Sequence, residues 1–388
     1  MPSIYLNDEH TAFRAAVRGF VVDEIAPHAD AWERQRAIPR EIFRRMGELG
    51  FLGITIPEAY GGSGADLFFG ITFLEELPRS RMGGFAAAVS VQQFMATPHI
   101  LRHGSEALKR RYVAPSVTGA KIGALAISEP DSGSDVAALR TTAVRTGDTF
   151  IVNGAKTFIT NGAGGDFFTL AVRTEEAPGA AGISLLAVDA DTAGITRTPI
   201  DKLGWHSSDT AEVAFDDVRV PADHLIGAAG RGFAMLMAGF QLERLAAAAI
   251  AVGSAQVCLE TAVDYIGSRK VFGRPLASYQ ALRHRLADLE TELEAARQLT
   301  HHTAWLLQQD RPAAREAAMA KLFATELGKR AADECLQLHG GYGYMEEYPA
   351  ARMYRDARAA TITAGTSEIM REIISRLLID EPSGRNGA

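Results

Sequence analysis

The hydrophobic and polar residues divide the chain into two helical regions with a region of short alternating runs between them. Over residues 6–37 the apolar positions recur at helical spacing, and Pro27 is expected to bend or break that helix. A second helix is predicted over residues 39–49, because Gly50 follows it as a stop signal. Further helices are predicted over residues 67–77, 85–101 and 109–117.

Short apolar runs separated by turn residues occupy residues 122–220. They span residues 123–127, 150–152, 157–159, 167–172, 183–188, 195–199, 212–215 and 218–220. Asn153-Gly154 and Asn161-Gly162 are predicted turns between them. Many short strands at regular spacing indicate a compact β-domain in the middle of the chain.

Helical spacing returns after residue 232. Helices are predicted over residues 233–253, 255–269, 279–309, 313–338 and 366–378. The 388 residues suffice for two or three domains, and 47% hydrophobic residues can form a large core. We therefore predict an α+β fold with a helical N-terminal domain over residues 1–121, a central β-domain over 122–231 and a C-terminal helical bundle over 232–388.

One predicted helix carries two charges in an apolar stretch. Residues 232–253 read GFAMLMAGFQLERLAAAAIAVG, with Glu243 and Arg244 in the middle. Residues three and four apart share a helix face, so Glu243 shares its face with small or apolar neighbours. A buried charge without a partner costs several kcal/mol, so it is rarely kept without a use. The residues alone leave two readings open: a half-exposed Glu–Arg pair, or a catalytic base.

Composition excludes several classes of partner. The net charge of −7 is spread along the chain without a long basic run, which argues against nucleic acid and anionic membranes. No uninterrupted apolar stretch of membrane-spanning length occurs, and the N-terminus lacks a signal-like run, so no membrane insertion is expected. Cys258 and Cys335 are far apart, which fits a reducing cytoplasm without disulfides, and no metal-ligand spacing is found.

Four motifs carry candidate chemistry, each with an ordinary alternative. Residues 128–135 (SEPDSGSD) could bring backbone N–H groups to a phosphate or a flavin edge, or form a polar turn. Residues 158–162 (FITNG) could cover a flat ring or form a hairpin. Residues 269–280 (RKVFGRPLASYQ) would suit a pyrophosphate or serve as a solvated loop. Residues 337–344 (QLHGGYGY) follow a helix instead of a strand, which excludes a Rossmann fingerprint.

Together these motifs are more specific than any one of them. In order and spacing, the chain resembles the acyl-CoA dehydrogenase family from about residue 7 to residue 378. The matching segments are residues 126–130, 157–162, 269–274, 337–344, 354–357 and 365–368. The resemblance implies an acyl-CoA dehydrogenase-like fold of three domains. It also implies FAD held between subunits of a homodimer or homotetramer, the tetramer being favoured.

The resemblance also implies roles for individual residues. Contacts to FAD are expected from Leu125, Ala126, Ile127, Ser128, Ser134, Phe158, Ile159, Thr160, Arg269, Phe272, Gln280, Gln337, Leu338, Gly340, Gly341, Thr366, Ser367 and Glu368, of which Arg269, Phe272 and Gln280 would reach the FAD of a neighbouring subunit. Contacts to the acyl-CoA are expected from Ser134, Leu242, Arg244, Ala364 and Gly365. Phe158 replaces a tryptophan common in the family, which keeps an aromatic face.

One departure from the family pattern bears on the catalytic base. Most members carry a glutamate immediately before the Gly-Thr pair, where this chain has Ala364. A base on the long helix, as at Glu243, resembles isovaleryl-CoA dehydrogenase and the long-chain branch. The loss of the side chain at Ala364 frees volume, which favours a short or medium, branched acyl chain.

The implied reaction is FAD-dependent α,β-dehydrogenation of an acyl-CoA to the trans-2-enoyl-CoA, with electrons passed to electron-transfer flavoprotein. Two alternatives stay open. One is a dehydrogenase of a carrier-protein-bound acyl group in a biosynthetic pathway, and the other is a flavin monooxygenase or oxidase on the same scaffold.

Overall fold

A computed structural model describes residues 3–174 and 179–380 of the chain. The ends of the predicted N- and C-terminal domains, residues 1–2 and 381–388, lie outside the described residues. The helices are α1 Asp8–Phe20, α2 Ala29–Gln35, α3 Arg40–Glu48, α4 Leu67–Glu76, α5 Gly83–Ser90, α6 Thr97–His103, α7 Glu106–Leu108, α8 Ala114–Val117, α9 Gly232–Ser268, α10 Gln280–Gln308, α11 Ala314–His339, α12 Pro349–Ala360 and α13 Ser367–Ile379.

The strands lie between the two helical regions, as the periodicity predicts. They are β1 Gly123–Ala126, β2 Thr142–Thr146, β3 Thr149–Ile159, β4 Phe167–Arg173, β5 Ile183–Asp189, β6 Ile195–Pro199, β7 Ala211–Pro221 and β8 Leu225–Ile226, followed by the short hairpin β9 Lys270–Val271 and β10 Arg274–Pro275. The sheet order is β6-β7-β3-β2-β4-β5-β8, and β1 pairs in parallel with β4.

Local signals explain where the first helix begins and ends. Asn7 caps α1 by accepting from the His10 N–H, and the His10 ring accepts in return from the Asn7 N–H. The helix widens over Val21–Ile25 and tightens to a single 3-10 turn over Ala26–His28. The break therefore falls at Pro27, as predicted, because proline lacks the N–H that a continuing helix needs.

Two glycine-based predictions are wrong. The expected break between residues 253 and 255 is absent, and α9 runs unbroken for 37 residues. A Cβ at Gly253 would lie 2.1 Å from the backbone oxygen of Glu75, so this glycine allows α4 to cross closely. The expected turn at Asn153-Gly154 is a register shift inside β3, where a Cβ on Gly154 would lie 2.6 Å from the Thr141 hydroxyl.

The long helix α9 holds the two helical regions together. It packs against α4, α10 and α11. Its residues Leu245, Ala246 and Ala249 share one core with the N-terminal helices, and Ala304 of α10 joins the same core. By length and apolarity α9 could cross a membrane, but 61% of its most apolar window is buried inside the protein. It is therefore a core helix.

A buried ionic network joins α1, α4 and α10. Glu75 accepts from Arg14 at 2.6 Å and lies 2.9 Å from the His301 ring. Burial opposes ionisation of Glu75, but the charges and hydrogen bonds of His301 and Arg14 outweigh it and lower its pKa to about 2. The network fixes the first helix against the C-terminal bundle.

Candidate active site

Glu243 lies on α9 inside the protein, and its side chain is 6% exposed. The carboxylate oxygen Oε1 has no hydrogen-bond partner among the described residues. Its nearest partner on another helix is His99 of α6, whose Nε2 lies 3.6 Å from Oε1. Of the two readings of this residue, the half-exposed pair is therefore wrong, because both Glu243 and Arg244 are buried.

Arg244, which follows Glu243 in α9, and Lys321 of α11 are buried cations whose charges repel each other. The Arg244 guanidinium lies 5.6 Å from the Phe240 ring, and its Nε has no hydrogen-bond partner in the described part of the chain. Burial lowers the pKa of Arg244, and Glu243 partly opposes that shift. Burial and the charge of Arg244 lower the pKa of Lys321 to about 8. Acidic neighbours offset the burial of these two cations only in part, and such cations suit a polar or anionic ligand.

Lys321 connects this pair to the loop before α13. Its Nζ donates to the backbone oxygen of Gly365 at 2.6 Å. Ala364 and Gly365 both have left-handed backbone, with φ of 53° and 90°. Such a conformation is unfavourable for alanine and occurs where the surrounding structure enforces it, as at ligand sites. Among residues 3–174 and 179–380, the Ala364 N–H makes no hydrogen bond, so it can donate to a ligand.

Two of the predicted flavin segments lie side by side. The Thr157 N–H donates to the Ser128 carbonyl at 2.9 Å. Lys156, fully buried in β3, donates to the Ile127 carbonyl at 3.0 Å and to Glu129 at 2.7 Å. The structure therefore brings together the residues Leu125, Ala126, Ile127 and Ser128 with Phe158, Ile159 and Thr160.

Phe158, the last residue but one of β3, has an unusual conformation. Its φ is 60°, and 69% of the side chain is exposed. A left-handed backbone costs a non-glycine residue roughly 1–2 kcal/mol, and an exposed ring gains no packing in return. The combination indicates a face that a flat ligand covers.

A cavity of about 630 Å³ gathers a separate set of predicted residues. Its walls come from the ends of α9 and α11 and from the segments that follow them. The predicted FAD residues in its lining are Arg269, Gln337, Leu338, Gly340 and Gly341. Tyr342 also lines it, with the Arg269 guanidinium 5.6 Å from its ring.

Other predicted residues lie outside that cavity. Phe272 is 96% exposed at the tip of the β9–β10 hairpin, with φ of 50°, and Gln280 begins α10 at the surface. Ser134 is exposed in the loop after β1. Leu242 packs against the N-terminal core.

The Thr366–Glu368 segment starts α13. The Thr366 hydroxyl accepts from the Ile369 N–H as a helix cap. The Ser367 hydroxyl donates to Glu326 at 2.7 Å, whereas Glu368 is exposed. These contacts fix the helix that follows Ala364 and Gly365.

The residue pattern missed three buried polar groups: Lys156, Lys321 and His99. Lys321 and His99 each stand alone in a predicted helix, and Lys156 lies between two predicted strands. The partner of each lies far away in sequence. The only available signal was a single polar residue in an apolar run, such as Lys321 among alanines on α11. That signal does not identify a partner.

A buried carboxylate and an N–H donor without a partner are the groups that acid–base chemistry beside a polarised carbonyl requires. Glu243 supplies a buried proton acceptor with one unpaired oxygen. The Ala364 N–H supplies a free donor on a loop fixed by Lys321. The described residues contain no cluster of three or more metal-ligating side chains.

Comparison with known proteins identifies the family. The N-terminal, middle and C-terminal domain profiles of acyl-CoA dehydrogenase match residues 7–120, 124–218 and 230–379. A probable acyl-CoA dehydrogenase of Bacillus subtilis, YngJ, is 41% identical over 379 residues, 96% of this chain and 99% of that protein. The mitochondrial long-chain specific acyl-CoA dehydrogenase of Sus scrofa is 39% identical over 97% of this chain and 87% of that protein.

A solved structure agrees with these matches. The acyl-CoA dehydrogenase of Geobacillus kaustophilus superposes with a TM-score of 0.93 at 42% identity, over 97% of this chain and all of that chain. The predicted α+β fold and the family resemblance are confirmed. The chain belongs to the acyl-CoA dehydrogenase family, whose members are FAD-binding oxidoreductases that act on the CH–CH bond of acyl-CoA.

Proposed function

We propose that this protein dehydrogenates an acyl-CoA to the trans-2-enoyl-CoA, with Glu243 as the base that removes the α-proton. The observation that carries the proposal is the buried Glu243 carboxylate, with its unpaired oxygen, on the helix that also bears Arg244. Lys321, whose charge is close enough to be repelled by Arg244, donates to the backbone oxygen of Gly365 beside Ala364. In this proposal, Glu243 on α9 and the Ala364 N–H on the loop before α13 act on the same substrate.

The residues of the chain fit FAD as the cofactor. Arg269 supplies positive charge at the cavity near α11. A Cβ built on Gly340 or on Gly341 would have no neighbouring atom of the described residues within 4 Å. Glycine backbone can therefore approach a phosphate there. Phe158 offers an exposed aromatic face beside the Ser128 segment. When bound, FAD supplies a hydride acceptor for the β-hydrogen.

The Ala364 N–H would polarise the thioester carbonyl. An α-proton becomes acidic enough for a carboxylate only when that oxygen is stabilised, and a fixed donor of this kind contributes about 10²–10³ in rate. An amide donor does not depend on its own side chain, so alanine keeps the function. Glu243 as a positioned base adds roughly 10²–10⁴.

The proposed substrate is a short- or medium-chain, branched acyl-CoA. Ala364 has the smallest side chain with a Cβ, and this leaves room beside the reacting carbons where most of the family carries glutamate. Arg244 and Leu242 on α9, Gly365 on the loop and the exposed Ser134 complete the proposed substrate contacts. Long-chain substrates belong in the same test, because the Sus scrofa relative is named long-chain specific.

The proposed setting is a cytoplasmic homotetramer that passes electrons to electron-transfer flavoprotein. Phe272 is 96% exposed at a strained hairpin tip, which favours contact with another copy of the chain. Gln280 lies at the surface nearby and would reach the same neighbouring copy. Both cysteines are buried and unpaired, in keeping with a reducing compartment.

The base assignment is tested by anaerobic titration with a panel of acyl-CoAs, following the bleaching of the flavin. Glu243→Gln keeps the size of the side chain and should retain FAD while losing reduction by every acyl-CoA. Normal bleaching in this variant would reject Glu243 as the base. Adding Ala364→Glu to Glu243→Gln should restore part of the activity toward straight chains.

The same panel separates the alternative functions. Bleaching by acyl carrier protein thioesters but by no acyl-CoA would favour a biosynthetic dehydrogenase. Flavin reoxidation by O₂ that yields an oxygenated product would favour a monooxygenase, and reoxidation that yields H₂O₂ and the enoyl thioester would favour an oxidase.

A further inference from the structure

His99 is a buried imidazole that faces the proposed base from a different helix. It lies in the first turn of α6, and 3% of its side chain is exposed. Its Nε2 is 3.6 Å from Glu243 Oε1, slightly beyond hydrogen-bond distance. Oε1 is also the carboxylate oxygen without a partner among the residues that the structure describes. A small movement of either side chain would therefore close a hydrogen bond.

Gly239 allows the imidazole to lie against α9. It is one turn before Glu243 on the same face of the helix. A Cβ at this position would lie 2.4 Å from His99 Cε1 and 3.0 Å from Nε2, closer than two such atoms can approach. The His99 ring therefore packs on the backbone of α9 directly beside the Glu243 carboxylate. Any residue larger than glycine at position 239 would collide with the ring.

The other charged groups nearby are engaged differently. Arg244 attracts Glu243 through its charge but makes no ion pair with it. Lys321 donates to Gly365, and Glu75 of α4 is paired with His301 and Arg14. His103, the next histidine on α6, is exposed at the end of that helix. His99 is thus the group best placed to hold Oε1.

We propose that His99 is a positioning residue for Glu243: its Nε2–H donates to Oε1 when substrate fills the site and leaves Oε2 free to take the α-proton. The proposal rests on the proposed function of Glu243. A buried carboxylate with two unrestrained oxygens can rotate away from the reacting carbon, whereas one fixed oxygen keeps the other in place. His99 itself takes no proton from the substrate.

The test compares two variants of similar size. His99→Gln keeps an N–H donor close to the position of Nε2, whereas His99→Met fills similar volume without a donor. The rate constant of flavin bleaching at saturating acyl-CoA and the Kd for acyl-CoA are measured by anaerobic stopped flow. His99→Met should bleach about 10- to 100-fold more slowly with little change in Kd, and His99→Gln should recover most of that rate.

Controls separate this inference from the function that it rests on. His103→Gln changes a histidine of the same helix and should bleach at the normal rate. Equal rates in His99→Met and the unmodified enzyme, or an effect confined to Kd, would overturn the positioning role. Normal bleaching in Glu243→Gln would instead overturn the proposed base. If His99→Met binds no FAD, His99→Gln alone decides: a rate as low as that of Glu243→Gln overturns the proposal, and a near-normal rate supports it.

Discussion

The Lys156–Glu129 pair fixes two segments that the cofactor would contact, and its removal has a predictable cost. Lys156 is fully buried and donates to Glu129 at 2.7 Å and to the Ile127 carbonyl at 3.0 Å. Lys156→Met keeps the length of the side chain and removes the cation. The Glu129 carboxylate, 7% exposed, then remains buried without its partner.

The expected loss of stability in Lys156→Met depends on the hydrogen bonds that Glu129 retains. Removing one member of a buried ion pair costs about 3–5 kcal/mol. Glu129 still accepts from the N–H groups of Arg140 at 2.6 Å and Thr141 at 2.9 Å, which favours the lower end of that range. We therefore expect the free energy of unfolding to fall by about 3 kcal/mol. The double variant Lys156→Met/Glu129→Gln should recover part of this loss, because no uncompensated charge remains.

Urea unfolding of the FAD-loaded enzyme measures the change. Lys121→Met is the matched control, since Lys121 forms a partly exposed pair with Asp189 at 3.5 Å, for which we expect a loss below about 1 kcal/mol. Lys156→Met should also lose FAD more readily. If it costs no more than Lys121→Met, the pair does not hold the two segments.

The pH dependence of stability tests a separate consequence of burying Lys156. Burial lowers the pKa of Lys156 from 10.5 to about 8, and Glu129 only partly opposes this shift. Between pH 8 and 10.5 the unfolded chain therefore binds more protons at Lys156 than the folded chain does. The contribution of this group to stability should rise across that window, and Lys156→Met should abolish the rise.

Three further predictions concern other groups. Because the pKa of Glu75 is about 2 in the folded protein, against an ordinary value of 4.5, its stabilisation should be lost as pH falls from about 4.5 to 2. Urea unfolding across that range should show a flatter acid limb in Glu75→Gln, and an unchanged limb would contradict the assignment. Lys321→Met removes the donor to Gly365 and should slow flavin bleaching by about 10-fold. An unchanged rate would show that this hydrogen bond is not needed to position the Ala364 N–H. Phe158→Gly relieves the left-handed backbone but removes the aromatic face, so the FAD-free protein should gain about 1 kcal/mol while FAD binds about 10-fold more weakly. Tighter FAD binding, measured by fluorescence titration, would refute the stacking role of Phe158.

Periodicity predicted most of the fold because buried faces must repeat at helical or strand spacing. It located the change from helices to strands and the break at Pro27. It failed at Gly154 and Gly253, where a glycine normally ends an element but here admits a neighbouring chain segment. The two cases look alike in sequence, since only the tertiary structure determines what approaches the missing side chain.

The candidate site was only partly predictable for a related reason. Glu243 and Arg244 stand out because two adjacent charges interrupt an apolar helix. Lys156 and Lys321 meet their partners 27 and 44 residues away, and no local pattern specifies such a pairing. The family resemblance supplied the residues around the cofactor, but not the buried groups that hold those residues in position.

The shared core of the N-terminal helices and α9 has a consequence for how the chain is made. Phe94 and the helices before it pack in one core with Ala249 and Ala304. At about 5–20 residues per second, a ribosome needs roughly 10–40 s to reach residue 304 after residue 94. During that time the part of this apolar surface that α9 and α10 later cover is exposed, which makes the nascent chain prone to aggregation.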